Sequence, residues 1–330
     1  MTRRLTCLVA DRWVRLYRSE LEGLVGVPVE WAYSDSILDA GLAIEVAGAD
    51  VFVGGFLGPA AARAGRDLLL VQATGVGNDG IALSELRQET LVAIAAGHAR
   101  SVAEHVLMSM LALSRRLITV DQGLRRGEWL GGAFVPRRDV NETLDGKRCG
   151  LIGFGAIGHE VARLAAAFGM SVAALRRHPM LADGGCSLEW VGGFDALPRL
   201  LAWADFTVVA VPLTGETRGM IDGAALAHMP PTSRLVNVAR AGIVDECDLY
   251  AALHERRIAG AALDVWYRHP GKDGAGSPAD LPFWELENVV LTPHSASTTR
   301  EVFDHRIALI ARNVEAVARG EAVEGVVPRT

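Results

Sequence analysis

The sequence predicts an α/β protein built from two doubly wound parallel-sheet domains, the first of them discontinuous in the chain. Three observations predict it. Short apolar runs alternate with helix-period segments from end to end, as in successive βαβ units. The chain has 330 residues, half of them hydrophobic, which is too long for one ordinary core and sufficient for two. Finally, the sequence closes on a helix-period segment with no strand series beside it to cover.

Taken in order, the first third places strands near 6–10, 28–33, 51–54, 68–73 and 90–95, with helical segments between. A helical stretch over 101–123 follows, with Val102, Val106, Met110 and Leu113 on one face. A second alternating series places strands near 149–153, 170–175, 206–211, 234–239, 260–265 and 289–292. The closing segment, 300–319, is helical and is expected to pack back on the first domain. The resulting boundaries are 1–98 with 296–330 for one domain, and 99–295 for the other. The looser stretches are 127–145 and 270–282, rich in Gly, Pro and charge.

The formal net charge of −6, with no Lys/Arg-rich block, argues against nucleic acid or an anionic membrane as partner. The four cysteines, Cys7, Cys149, Cys186 and Cys247, form no CxxC pair and no metal-ligand spacing. They read as buried thiols in a reducing compartment, with no metal site. A strand-like run already begins at Leu5, and no apolar run reaches membrane-spanning length, so the expected location is cytoplasmic.

The most informative stretch is Gly153-Phe154-Gly155-Ala156-Ile157-Gly158. An apolar run, Arg148-Cys149-Gly150-Leu151-Ile152, precedes it; after it Val161, Leu164, Ala165 and Phe168 recur at helical spacing up to Gly169. Strand, glycine loop and helix are what a dinucleotide pyrophosphate requires. The first glycine makes the turn, the second admits the phosphates, the third lets helix and strand pack closely, and the helix N-terminus offers N–H groups.

Ligands of doubly wound sheets sit at the carboxyl ends of the strands. Three such ends carry residues able to act on a carbonyl: Asn237-Val238-Ala239-Arg240, Leu263-Asp264-Val265-Trp266 and Thr292-Pro293-His294. Singly, each has an ordinary reading as an ion pair, a capping aspartate or a satisfied histidine. At one end of one sheet they make an active site.

These motifs, with Ser101-Val102-Ala103-Glu104-His105, the glycine loop and Val211-Pro212-Leu213-Thr214-Gly215-Glu216-Thr217-Arg218-Gly219, resemble those of the D-isomer-specific 2-hydroxyacid dehydrogenases. The resemblance covers most of the chain. It implies two Rossmann-like domains, the discontinuous one flavodoxin-like, a nicotinamide cofactor in a cleft between a substrate domain and a dinucleotide domain, a small anionic substrate, and a homodimer joined largely through the dinucleotide domain. Arg240 would bind the substrate carboxylate and polarise the carbonyl. His294 would give its proton to the carbonyl oxygen in reduction. Asp264 would hold the nicotinamide carboxamide. Cofactor contacts would come from Gly153, Gly155, Ala156, Ile157, Gly158, Arg176, Arg177, Val211, Pro212, Thr217, Val238, Ala239 and Ala296. Substrate contacts would come from Gly54, Val76, Gly77 and His98, with the turn Thr74-Gly75-Val76-Gly77 offering backbone N–H groups.

Two departures stand out. The family pattern places a glutamate before the proline that follows the aspartate strand, where it pairs with the catalytic histidine; here that position is His269. Formate dehydrogenases of the superfamily carry glutamine there, but His98 stands where that group has its formate-contacting asparagine. His269 then either relays a proton, contacts a second anionic group of the substrate, or is a tolerated neutral hydrogen-bond partner. The second departure concerns the strand ending at Leu175, which leads into Arg176-Arg177-His178-Pro179 with no acid in reach for the ribose hydroxyls. Two guanidinium groups favour a 2′-phosphate, hence NADP over NAD.

The function expected is hydride transfer between NAD(P)H and a small 2-oxo acid of the glyoxylate or hydroxypyruvate type. The alternatives are a dehydrogenase of another small anion (formate, phosphite or a phosphonate) and a dinucleotide-sensing corepressor. Trp13, Trp31, Trp190 and Trp203 read as core or surface anchors. Glu104 and His105 read as helix-capping or interdomain residues, and 125–129 as a solvated or dimer-facing segment.

Overall fold

The computed structural model describes residues 4–328 apart from 37, 132, 133, 135, 137–139, 180–184, 186 and 269–273. The chain divides into two compact units, Met1–Gly97 with Thr299–Thr330, and His98–Thr298.

The first unit holds five parallel strands: β1 (Leu5–Val9), β2 (Val29–Tyr33), β3 (Val51–Val53), β4 (Leu70–Gln72) and β5 (Leu91–Ala93). They run in the order β2-β1-β3-β4-β5, the flavodoxin-like arrangement, with its switch point between β1 and β3. Successive side chains of a strand point to opposite faces, so Leu8, Phe52 and Val71 meet Leu42, Leu57 and Ala61 on one side. Cys7, Val9, Val53 and Leu70 meet Val14, Leu21, Ile307, Ile310 and Val314 on the other. The last three belong to the helix Arg300–Arg319, which returns to this unit as its apolar stripe requires. A polar staple secures it: Asn313 Nδ2 donates to Gln72 Oε1 at 2.6 Å, and Glu324 N donates to Asn313 Oδ1 at 2.8 Å.

The second unit holds seven parallel strands: β6 (Arg148–Ile152), β7 (Ser171–Leu175), β8 (Trp190–Gly192), β9 (Phe206–Val209), β10 (Arg234–Asn237), β11 (Gly260–Leu263) and β12 (Val289–Leu291). Their order is β12-β11-β10-β9-β6-β7-β8, which reverses direction between β6 and β9. Both faces are covered, so β9, β10 and β11 are buried along their whole length.

Several expectations need correcting. β8 is absent from the sequence-derived strands because it is a half-buried edge strand with neither an apolar run nor clean alternation. The helix expected over 101–123 is two helices, Ala99–Ser114 and Leu117–Arg125, separated at Arg116, whose φ is +50°. The buried stripe ends at Leu113 and Ser114, and Leu117, Ile118 and Leu124 beyond the break are exposed, so one straight helix has no core to follow. Cys7 and Cys149 are buried, and burial pushes the Cys149 thiol up to about 12, but Cys247 is exposed. It sits in the first turn of the helix Glu246–His254, whose buried side is Leu249, Ala252 and Leu253. Cys186 lies outside the described residues.

Candidate active site

In the seven-stranded unit the glycine loop takes the three roles its spacing implies. Gly153, directly after β6, has a φ of +106°, and a Cβ there would lie 2.5 Å from the Ala210 carbonyl oxygen and 2.9 Å from Val211 Cγ1. A Cβ on Gly158 would lie 2.4 Å from the Gly153 carbonyl oxygen. A Cβ on Gly155 would meet no protein atom within 4 Å. Gly153 and Gly158 are thus demanded by packing, and Gly155 by nothing in the protein. Gly155 is the N-cap of the helix Ala156–Ala167, and no side chain caps it. The open cradle and the N–H groups of Ala156, Ile157 and Gly158 therefore fit a dinucleotide pyrophosphate.

The neighbouring strand ends complete this edge. After β7, the Arg176 guanidinium stands over the Phe154 ring at 5.8 Å, and Arg177 Nη2 pairs with Glu216 Oε2 at 3.2 Å. The expectation of no acid in reach is corrected here: the loop after β9 delivers Glu216, distant in sequence, to the end of β7. In that loop Thr217 is buried, its hydroxyl donating to the Pro212 carbonyl at 2.6 Å and accepting from Thr214 N at 2.8 Å. Val211 is buried beside Gly153.

After β10, Asn237 works as a clamp. Its Oδ1 accepts from Ala239 N at 3.1 Å and its Nδ2 donates to the Arg240 carbonyl at 3.2 Å. Val238 and Ala239 are buried, while the half-buried Arg240 donates from Nη1 to the Ala239 carbonyl at 2.8 Å.

After β11, the buried Asp264 anchors the segment that carries His294. Its Oδ1 accepts from the Thr292 hydroxyl at 2.6 Å and from Ser295 N at 2.8 Å, and its Oδ2 accepts from Ala296 N at 2.9 Å. Trp266 Nε1 donates to the Thr292 carbonyl at 2.8 Å, and Ser101 Oγ to that of Ala296 at 2.8 Å. Between these anchors His294 is exposed with a φ of +55°, a conformation that costs a non-glycine residue about 1–3 kcal/mol. The cost marks the position as held by its surroundings.

Sequence reasoning missed the role of His105. It caps no helix end; its Nε2 lies 3.2 Å from Thr292 Oγ1. Thr292 gives its only hydroxyl proton to Asp264, so its oxygen accepts from His105, which assigns the proton to Nε2. Burial holds the pKa of His105 below its ordinary value against the opposing pull of the Asp264 carboxylate. Glu104 faces away and pairs with Arg100 at 2.6 Å. The available signal was spacing: His105 lies three residues after buried Val102 and one before buried Val106.

His98 is the N-cap of the helix Ala99–Ser114, without a side-chain cap bond. In the five-stranded unit, Gly54, after β3, has no room for a side chain: a Cβ would lie 2.6 Å from Phe52 Cζ. Val76 and Gly77 follow Thr74 in the turn after β4, and Thr74 Oγ1 donates to Asp11 Oδ2 at 2.5 Å. His269 lies outside the described residues.

Comparison with known proteins places this edge. Residues 107–296, more than half of the chain, match the family model for the D-isomer specific 2-hydroxyacid dehydrogenase, NAD binding domain. The chain belongs to this family. It is 38% identical to a glyoxylate reductase of Pyrococcus furiosus over 67% of this chain and 63% of that protein. It is 35% identical to a D-3-phosphoglycerate dehydrogenase of Methanocaldococcus jannaschii over 79% of this chain and 47% of that protein. The chain thus spans about half to two thirds of the length of these two relatives. Among solved structures, the NADPH-dependent glyoxylate/hydroxypyruvate reductase of Sinorhizobium meliloti, in complex with NADP and malonate, superposes with a TM-score of 0.83 at 26% identity, covering 98% of this chain and 97% of that one.

Proposed function

We propose that this family member reduces a small 2-oxo acid to the 2-hydroxy acid. The observation that carries the proposal is the carboxyl edge of the seven-stranded sheet, where the dinucleotide cradle, Arg240 and an anchored His294 occupy neighbouring strand ends. The bound nicotinamide dinucleotide supplies the hydride. Arg240 holds the substrate carboxylate and draws electron density from the adjacent carbonyl. His294 donates a proton to the carbonyl oxygen as the carbon gains its hydrogen, and takes it back in the reverse direction. Asp264 keeps His294 in place through Thr292, Ser295 and Ala296.

NADP is the proposed preference, supported by Arg176 and Arg177 at the end of β7. The Arg177–Glu216 pair is exposed on both sides, so exchanging Glu216 for a 2′-phosphate costs about 1 kcal/mol at most. A homodimer is proposed through the helices of this unit. Their exposed Met108, Leu117, Ile118 and Phe168 are apolar, and a groove of about 450 Å³ lies among Met108, Leu111, Leu117 and Phe168. A reducing, cytoplasmic location fits the buried thiols of Cys7 and Cys149.

The test is nicotinamide absorbance with a panel of 2-oxo acids, run with NADPH and NADH. Turnover of an oxo acid that His294→Ala lowers by about 10²- to 10⁴-fold is the expected result. Arg176→Ala with Arg177→Ala is expected to shift the coenzyme ratio about tenfold toward NADH. Tight dinucleotide binding without turnover of any oxo acid would overturn the proposed reaction.

A further inference from the structure

At the carboxyl edge of the five-stranded sheet lies a cation that the reaction above does not use. Arg306, on the helix Arg300–Arg319, is 8% exposed. Its Nε is buried and, among the described residues, has no hydrogen-bond partner. Burial lowers its pKa, and the opposing charge that acts on it is Asp11.

Asp11 does not pair with it. Asp11 follows β1 and caps the next helix, accepting from Trp13 N at 3.1 Å and from the Thr74 hydroxyl at 2.5 Å. The backbones of Val14 and Gly55 lie close to its carboxylate. The carboxylate is thus engaged with its own loop and with Thr74, and no ion pair or hydrogen bond joins it to Arg306. A buried guanidinium nitrogen without a partner is costly, and such groups persist where a ligand completes them.

Its surroundings locate it. Phe303, one turn earlier on the same helix face, stacks on Trp13 at 4.9 Å. Arg306 therefore stands with Asp11 and Gly55 at the switch point between β1 and β3. Asp11 in turn ties this point to Thr74, the start of the turn that holds Val76 and Gly77. Doubly wound sheets bind ligands at such a place.

We propose that Arg306 binds a second anionic group of the substrate, so that the natural substrate is a 2-oxo acid with a carboxylate or phosphate at its far end. This rests on the reaction proposed above and narrows its substrate class. The Arg306 guanidinium, not paired with Asp11, is completed by the distal anion.

The experiment compares oxaloacetate with 2-oxobutanoate, which differ chiefly in a terminal carboxylate against a methyl group. The wild type is expected to prefer oxaloacetate. Arg306→Met is expected to lower kcat/KM for oxaloacetate by at least about 30-fold and to leave 2-oxobutanoate within about threefold. Arg306→Lys should restore part of the loss. The melting temperature of Arg306→Met should hold or rise, because an apolar side chain replaces an unpartnered charge. Equal loss on both substrates, or no loss on either, would overturn the assignment. If the wild type reduces no 2-oxo acid of the panel, these two included, the proposed reaction fails on its own. The anion site is then judged by calorimetry with succinate against butyrate: succinate binding that Arg306→Met abolishes supports it, and identical binding by both proteins refutes it.

Discussion

The two sheets carry their polar groups at their carboxyl edges in opposite ways. At the edge of the seven-stranded sheet nearly every polar group described has a protein partner. Asp264 accepts three hydrogen bonds, Asn237 makes two, and Thr217 spends its hydroxyl on its own loop. The space over Gly155 is left open. At the edge of the five-stranded sheet, among the described residues, the balance fails at one group, Arg306, because Asp11 is engaged with Trp13 and Thr74 instead. The difference teaches that the first edge is a rigid mould formed largely by backbone, whereas selectivity at the second rests on an unsatisfied side-chain charge. A mould suits a cofactor shared by a whole family, and a single charge suits a substrate that differs between members.

The largest expected effect comes from removing the anchor of the rigid edge. Asp264→Ala leaves the Thr292 hydroxyl and the N–H groups of Ser295 and Ala296 without their acceptor. Denaturant unfolding should show a loss of about 3 kcal/mol, and kcat should fall more than KM rises because His294 loses its position. Retention of both stability and kcat would break the contrast.

The second test separates packing from ligand space within one loop. Gly158→Ala places a Cβ 2.4 Å from the Gly153 carbonyl and should cost about 1–3 kcal/mol along with dinucleotide affinity. Gly155→Ala meets no protein atom and should leave stability unchanged or slightly improved, yet weaken dinucleotide binding. Calorimetric titration with NADPH beside a melting curve reads both. If Gly155→Ala binds as tightly as the wild type, the open space is not the pyrophosphate cradle.

The smallest effect is a pH dependence. Burial depresses the folded-state pKa of His105 below its unfolded value, so the unfolded chain takes up the proton first as pH falls. Its contribution to stability is present above the ordinary histidine range and is lost as pH drops through the folded-state value. His105→Gln keeps a donor toward Thr292 and should flatten this part of the melting profile between neutral and mildly acidic pH. An unchanged slope would place the titration elsewhere.

Much of this was legible in the sequence because it depends on local pattern. Apolar runs and glycine spacing locate β6, the loop after it and the following helix, since a parallel strand buried on both faces and a tight turn each demand particular residues. The closing helix was equally readable from its period. The edge strand β8 was not, because a half-buried strand carries no periodic signal. Nor was the break at Arg116, where the limit of the core ends the helix and no local breaker residue announces it.

By itself, then, the sequence determined the two-sheet α/β class, the nucleotide loop and the strand ends bearing Arg240, Asp264 and His294. Only the tertiary structure decided which groups answer one another. It brought Glu216 to Arg177, His105 to Thr292, and Thr74 to Asp11, pairs separated by dozens of residues or more. The pairing of a buried charge is a property of three-dimensional neighbours, so whether Arg306 is paired or waiting for an anion has no signature along the chain.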